Sequence, residues 1–203
     1  MNVIETTLTT KALFSDDESK RYLLQKTWDT GKPNLAIVMM APSVAEGIAL
    51  DSTTLLVLNN ASRLGYGSVS IVNLFATLND FDLKEAEPED DENMKVILDS
   101  AQEADAVVYA PGVGKAKNKA FQRRQNQVLN ALRPMESKLF CLTDSSETLR
   151  YFHPLTPAVR TWYLTPMKVE ELVKEPKKQE SKTESKEATQ EETKTPKAKK
   201  SGK

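Results

Sequence analysis

"NLAIVMMAPSVAEGIALDSTTLLVLNNASRLGYGSVSIVNLFA", residues 34–76, decides the fold. Its first apolar run, ending at Met40, is too short for a buried helix and stops at Pro42-Ser43, as a strand does when it enters a turn. Asp51 and Ser52 then supply a helix N-cap, Leu55, Leu58 and Leu64 recur at helical spacing, and Gly65 ends the run. A second apolar run, "SVSIVNLFA", follows at once. Strand, helix and strand in that order make a right-handed crossover between parallel neighbours.

The pattern continues on both sides. "SKRYLLQKTW" alternates loosely through Tyr22, Leu24 and Trp28, which suits a strand near a sheet edge. "ADAVVYA" and "SKLFCLT" are further short apolar runs of the kind buried on both sheet faces. Between them lie helical patterns, one with Met94, Ile97, Leu98 and Ala101 on a face, the other with Phe121, Val128, Leu129 and Leu132. The expected fold is α/β. It is a three-layer sandwich around a mainly parallel central sheet, with antiparallel N-terminal edge strands, spanning residues 1–172.

Residues 173–203 read differently. From Lys174 onward there are ten Lys and six Glu, no aromatic residue and almost no aliphatic one, giving +4 against −5 for the rest of the chain. Such a segment cannot bury enough apolar surface to offset its ordering entropy, and Pro176 and Pro196 interrupt any helix, so it is expected to be disordered. It serves either as a solubilising tail or as a basic-ended arm for an acidic partner such as nucleic acid.

Composition excludes several classes. The chain has 203 residues, 39% of them hydrophobic, enough for one α/β domain with a core. No apolar run approaches a membrane span, and Met1 to Thr10 carries no basic-then-apolar leader, so a cytoplasmic protein without membrane attachment is expected. The single cysteine, Cys141, sits in a strand pattern and reads as inert, and the single histidine, His153, rules out a His/Cys metal cluster. No metal or cofactor is implied.

Open α/β sheets bind ligands beyond the C-terminal ends of their strands. Pro42, Ser43, Asp51, Asn73, Gly112, Gly114 and Lys115 are therefore expected to converge on one crevice, with "YFHPLTP" folding back so that His153 faces it. Each has a plainer role. Pro42-Ser43 also reads as a plain turn, Asp51 as a helix cap, and His153 as a packed, hydrogen-bonded side chain. "PGVGKAKNK" resembles a phosphate cradle, with Lys115, Lys117 and Lys119 beside backbone N–H groups, but it lacks the spacing of a P-loop. Arg123 and Arg124 extend its basic run along what reads as an exposed helix face.

The succession "MMAPSVAEG…LDSTT", "GYGSVSIVNLFA", "DENM", "ADAVVYAPG" and "FHPL" resembles a mainly bacterial and phage family, domain of unknown function number 1643, over roughly Arg21 to Leu155. That family reads Leu-Asn-Pro-Ser, Asp-Pro-Thr, Gly-Tyr-Gly with Val-Asn-Leu-Phe-Ala, Trp-Gly and His-Pro-Leu. Pro42, Ser43, Asn73, Asn93 and His153-Pro154 match it, whereas Ala41, Ser52 and Pro111 depart from it. More distantly, the motif order is similar to the uracil-DNA glycosylase superfamily. There the residue before the first proline positions water and the His-Pro loop steadies the departing base. The resemblance implies a pocket for a nucleotide, nucleobase or nucleic acid. It also implies a catalytic weakness, because the methyl group of Ala41 cannot polarise water. Two functions follow: an enzyme using Asp51 or His153 for proton transfer, or a binding module that keeps the pocket without the chemistry.

Overall fold

The computed structural model describes residues 1–43, 48–78, 82–83, 91–112, 117–143 and 152–173. Among them seven strands form one mixed sheet: β1 (Thr9–Phe14), β2 (Arg21–Thr27), β3 (Asn34–Met39), β4 (Ser68–Asn73), β5 (Ala106–Tyr109), β6 (Leu139–Thr143) and β7 (Tyr163–Pro166). Their order across the sheet is β1-β2-β4-β3-β5-β6-β7. The four central strands are parallel, while β1 pairs with β2, β2 with β4, and β6 with β7 in antiparallel fashion. The parallel centre and the antiparallel N-terminal edge agree with expectation. Strand β2 lies one place in from the edge, and β7 closes the far side as a strand not anticipated from sequence.

Three helices make the crossovers: α1 (Ser52–Arg63), α2 (Asp91–Glu103) and α3 (Lys119–Leu132). The step from β3 to β4 runs one way across the sheet, and those from β4 to β5 and β5 to β6 run the other. Right-handed crossovers therefore put α1 on one face and α2 and α3 on the other. The core divides accordingly. Val57 and Ala61 of α1 pack with Leu35, Ile37 and Ile71, together with Phe152, Val159 and Trp162 from the last segment. On the opposite face Val96, Ile97, Phe121 and Val128 pack on Ala36, Val38 and Val72. Cys141 is fully buried in β6. No helix of the described residues is long and apolar enough to cross a membrane.

The helices seat themselves differently from their apolar stripes. Helix α1 turns Thr54, Val57, Asn60 and Ala61 inward and leaves Leu55 exposed, with Leu58 and Leu64 only partly covered. Small and β-branched side chains let the helix lie close to the sheet, and Asn60 has its own partners there. In α2 the buried set is Asn93, Val96, Ile97, Ser100 and Ala101, with Met94 and Leu98 at its margin. In α3 the expected apolar face is joined by Arg124, which is not exposed but 2% accessible, its Nε donating to the Leu74 carbonyl at 2.7 Å. The basic run is thus split, one arginine outward and one inward.

Two glycines after α1 have separate duties. Gly65 adopts φ +88°, and the turn satisfies the end of the helix as Gly65 N–H donates to Ser62 and Tyr66 N–H to Ala61. Gly67 lies against the β2–β3 turn, accepting from Trp28 N–H at 2.9 Å and Asp29 N–H at 3.0 Å. The tail expected to be disordered lies outside the described residues from Lys174 onward.

Candidate functional site

Strands β3 and β5 are neighbours whose connections leave toward opposite faces, β3 to α1 and β5 to α3. That is the topological switch point of the sheet, the place where open α/β sheets form their ligand crevices. The loop after β3 carries Ala41, Pro42 and Ser43, all half-buried. Beyond β5 comes Gly112 at φ +88°, where an added Cβ would lie 3.3 Å from the Cβ of His153. His153 is thereby placed at the switch point by the returning segment.

Asp51 caps α1. Its Oδ1 accepts from Thr54 N–H at 2.6 Å, and its carboxylate also takes a hydrogen bond from the Ser43 side chain. Burial by itself would raise its pKa. The bonds from Ser43 and Thr54, aided by the positive charge of Arg21, outweigh burial and hold the group below the usual carboxylate range. Arg21 is 2% exposed and donates from Nη1 to the Ser43 carbonyl at 2.9 Å. It reaches this end of the sheet because β2 runs against the central strands, so that the first residue of β2 meets their last ones; Arg21 N–H bonds to the Ala76 carbonyl.

His153 is half-buried, and desolvation depresses its pKa, with the Asp51 carboxylate opposing the shift. Its Nδ1 accepts from Leu155 N–H at 3.2 Å. An acceptor nitrogen holds a lone pair, so the neutral ring carries its proton on Nε2 and presents an N–H donor. The segment bearing it is fastened to α1 through Asn60. The Asn60 amide donates to the Arg160 carbonyl at 3.0 Å, its Oδ1 accepts from Trp162 N–H at 3.0 Å, and Arg63 adds a bond to the Trp162 carbonyl. One helix therefore fixes both ionisable groups, Asp51 at its start and His153 through its middle.

Asn73 ends β4 beside Met39 of β3 and is 1% exposed. Two residues on from Ile71, it turns its side chain to the α1 face, at the end where α1 begins. Among the described residues its Nδ2 has no hydrogen-bond partner. Its main-chain carbonyl is held by Asn93 Nδ2 from α2 at 3.0 Å. Sequence reasoning placed Ser43, Asp51, Gly112 and His153 together, as the structure does, and missed Arg21 and Asn60. Pro42 shapes the loop; Gly114 and Lys115 lie outside the described residues. Among the described residues no group of three His, Cys, Asp or Glu side chains is arranged to hold a metal.

The depressed pKa of His153 has a consequence for stability. Because its folded pKa is below the unfolded value of 6.5, the unfolded state takes up the proton first as pH falls. The associated stability is fully present above 6.5 and is lost on acidification toward the folded pKa. Melting temperature should therefore fall more steeply from pH 7 to pH 5 in the natural protein than in His153→Gln. Equal slopes in thermal melts would show that His153 is not desolvated.

Residues 21–155 match the model of the family described as "Protein of unknown function (DUF1643)". The chain belongs to that family. No curated protein and no solved structure matches it.

Proposed function

We propose that the crevice between the ends of β3 and β5 recognises a nucleobase or nucleotide, in a glycosylase-like layout whose hydrolytic chemistry is weakened. The supporting observation is how Asp51 and His153 spend their polar atoms. Asp51 is committed to Ser43 and the first turn of α1 and is held ionised; His153 has Nδ1 filled and offers Nε2–H. An ionised, hydrogen-bonded carboxylate is a poor proton acceptor near neutral pH. The pair thus suits orientation and hydrogen-bond donation. With Asn73 Nδ2 as a second donor, the crevice complements carbonyl oxygens such as those of a pyrimidine. A purely non-catalytic binding module remains the neighbouring reading, favoured by Ala41, which brings no polar group to the loop.

Titration calorimetry with uracil and uridine monophosphate, beside a uracil-excision assay on single-stranded DNA, tests this. Binding without appreciable excision is expected from the natural protein, and a trace of excision from Ala41→Asn, whose side-chain oxygen can hold a water. Rapid excision by the natural protein would refute the weakening. Absence of binding to either ligand would refute nucleobase recognition.

A further inference from the structure

Beyond recognition of a base, we infer that the outer face of the first half of α3 is a docking ridge for the phosphates of a single-stranded nucleic acid. From Lys115 to Arg133 the sequence holds six cations and no acidic residue, within a chain whose net charge is −1. Of these, Lys117, Lys119 and Arg123 are exposed, while Arg124 points inward to Leu74. None of the three exposed cations is ion-paired among the described residues. Lys119 and Arg123 are four residues apart on one helix face, separated along the axis by about 6 Å.

This placement works against the helix. Cations near a helix N-terminus oppose its dipole, and like charges at i, i+4 repel, each at a cost of some tenths of a kcal/mol. Helix α3 has no acidic residue in its first turn to offset them. A polyanion lying along the face reverses both terms.

The ridge is also close to the crevice along the chain. Lys117 follows Gly112 by five residues, and a Cβ at Gly112 would lie 3.3 Å from that of His153. A strand whose phosphates follow Lys117, Lys119 and Arg123 is then expected to bring a base to the switch point, where Asn73 offers a donor. A duplex keeps its bases stacked and would leave that donor unmet, which favours a single strand. The inference rests on the base-recognition reading for the crevice and on charge complementarity for the ridge.

Fluorescence anisotropy of a labelled deoxythymidine 12-mer on the full chain separates the two. About three phosphate contacts predict log–log salt dependence with a slope of about −2. Lys119→Glu with Arg123→Glu should weaken binding about tenfold or more and flatten that slope by at least about 1. Lys11→Glu with Lys95→Glu makes the same charge change at exposed positions on β1 and α2 and should have little effect. Equal loss in both double variants, or in neither, overturns the ridge. So does equal competition by a poly-glutamate peptide, which would assign the face to an acidic protein. If the ridge variant alone loses the oligonucleotide while calorimetry finds no uracil binding, the ridge stands and the base-recognition reading fails.

Discussion

Gly67→Ala is expected to lose more than about 4 kcal/mol of stability, placing it among the most damaging single substitutions. The reason is contact, not backbone strain. A Cβ at position 67 would sit 1.9 Å from the Asp29 carbonyl oxygen and 2.7 Å from Lys32 Cβ. The obstacle is largely backbone, and the same turn is tied to residue 67 by three main-chain hydrogen bonds, with Trp28, Asp29 and Pro33. Relieving the clash means breaking those bonds and moving the start of β3. Gly65 provides the internal control: it has φ +88° but nothing within 4 Å of an added Cβ. Gly65→Ala should cost only the left-handed penalty, about 1–2 kcal/mol. Thermal melts should place Gly67→Ala on the order of 10 °C below the natural protein and well below Gly65→Ala. A Gly67→Ala protein melting within a degree or two of the natural one would contradict this close approach.

Asn73→Leu should separate stability from binding. A strut loses stability when removed, but the Nδ2 of Asn73 is buried without a partner among the described residues, a state that costs about 1–3 kcal/mol. Leucine keeps the branching and the number of heavy atoms, is bulkier by its two methyl groups and carries no such debt, and the bond from Asn93 goes to the main-chain carbonyl, which leucine retains. The relief of the amide and the crowding by the larger side chain are of similar size, so the variant should melt close to the natural temperature. If the amide is kept for a ligand, affinity for uracil in calorimetry should drop about tenfold or more, since the ligand oxygen would then face a methyl group. A destabilised variant with unchanged affinity would make Asn73 a structural residue only.

Much of this was legible in residues 34–76. A short apolar run, a cap, a helix and a glycine stop are local signals, and the strand ends they define locate the crevice. The contributions that were not legible act over long sequence distances. Arg21 enters the site only because β2 is antiparallel, and nothing near residue 21 announces that pairing. Asn60 looks like one polar residue on a helix, yet its partners lie about a hundred residues later. Strand β7 is four residues long, half-exposed and ends in Pro166, so it has neither length nor alternation to mark it. Leu55 misled because hydropathy ranks side chains by size, whereas a helix against a sheet selects for closeness. Arg124 misled because charge predicts exposure unless a buried carbonyl, here that of Leu74, needs a donor.

The tie between Asn60 and the chain around Trp162 bears on where this protein can be cut. The family match stops at residue 155, but the sheet does not. A recombinant fragment trimmed to residues 21–155 would keep every matched motif. It would also strip Trp162 and Val159 from the core beside α1, expose the outer edge of β6 and remove the bonds of Asn60 to Arg160 and Trp162. His153 would then hang two residues from a loose end, without the anchorage that Asn60 gives the segment after it. Expression boundaries drawn from the family motif alone would thus preserve the letters of the site and lose its geometry; residues 156–169 belong to any fragment meant to bind.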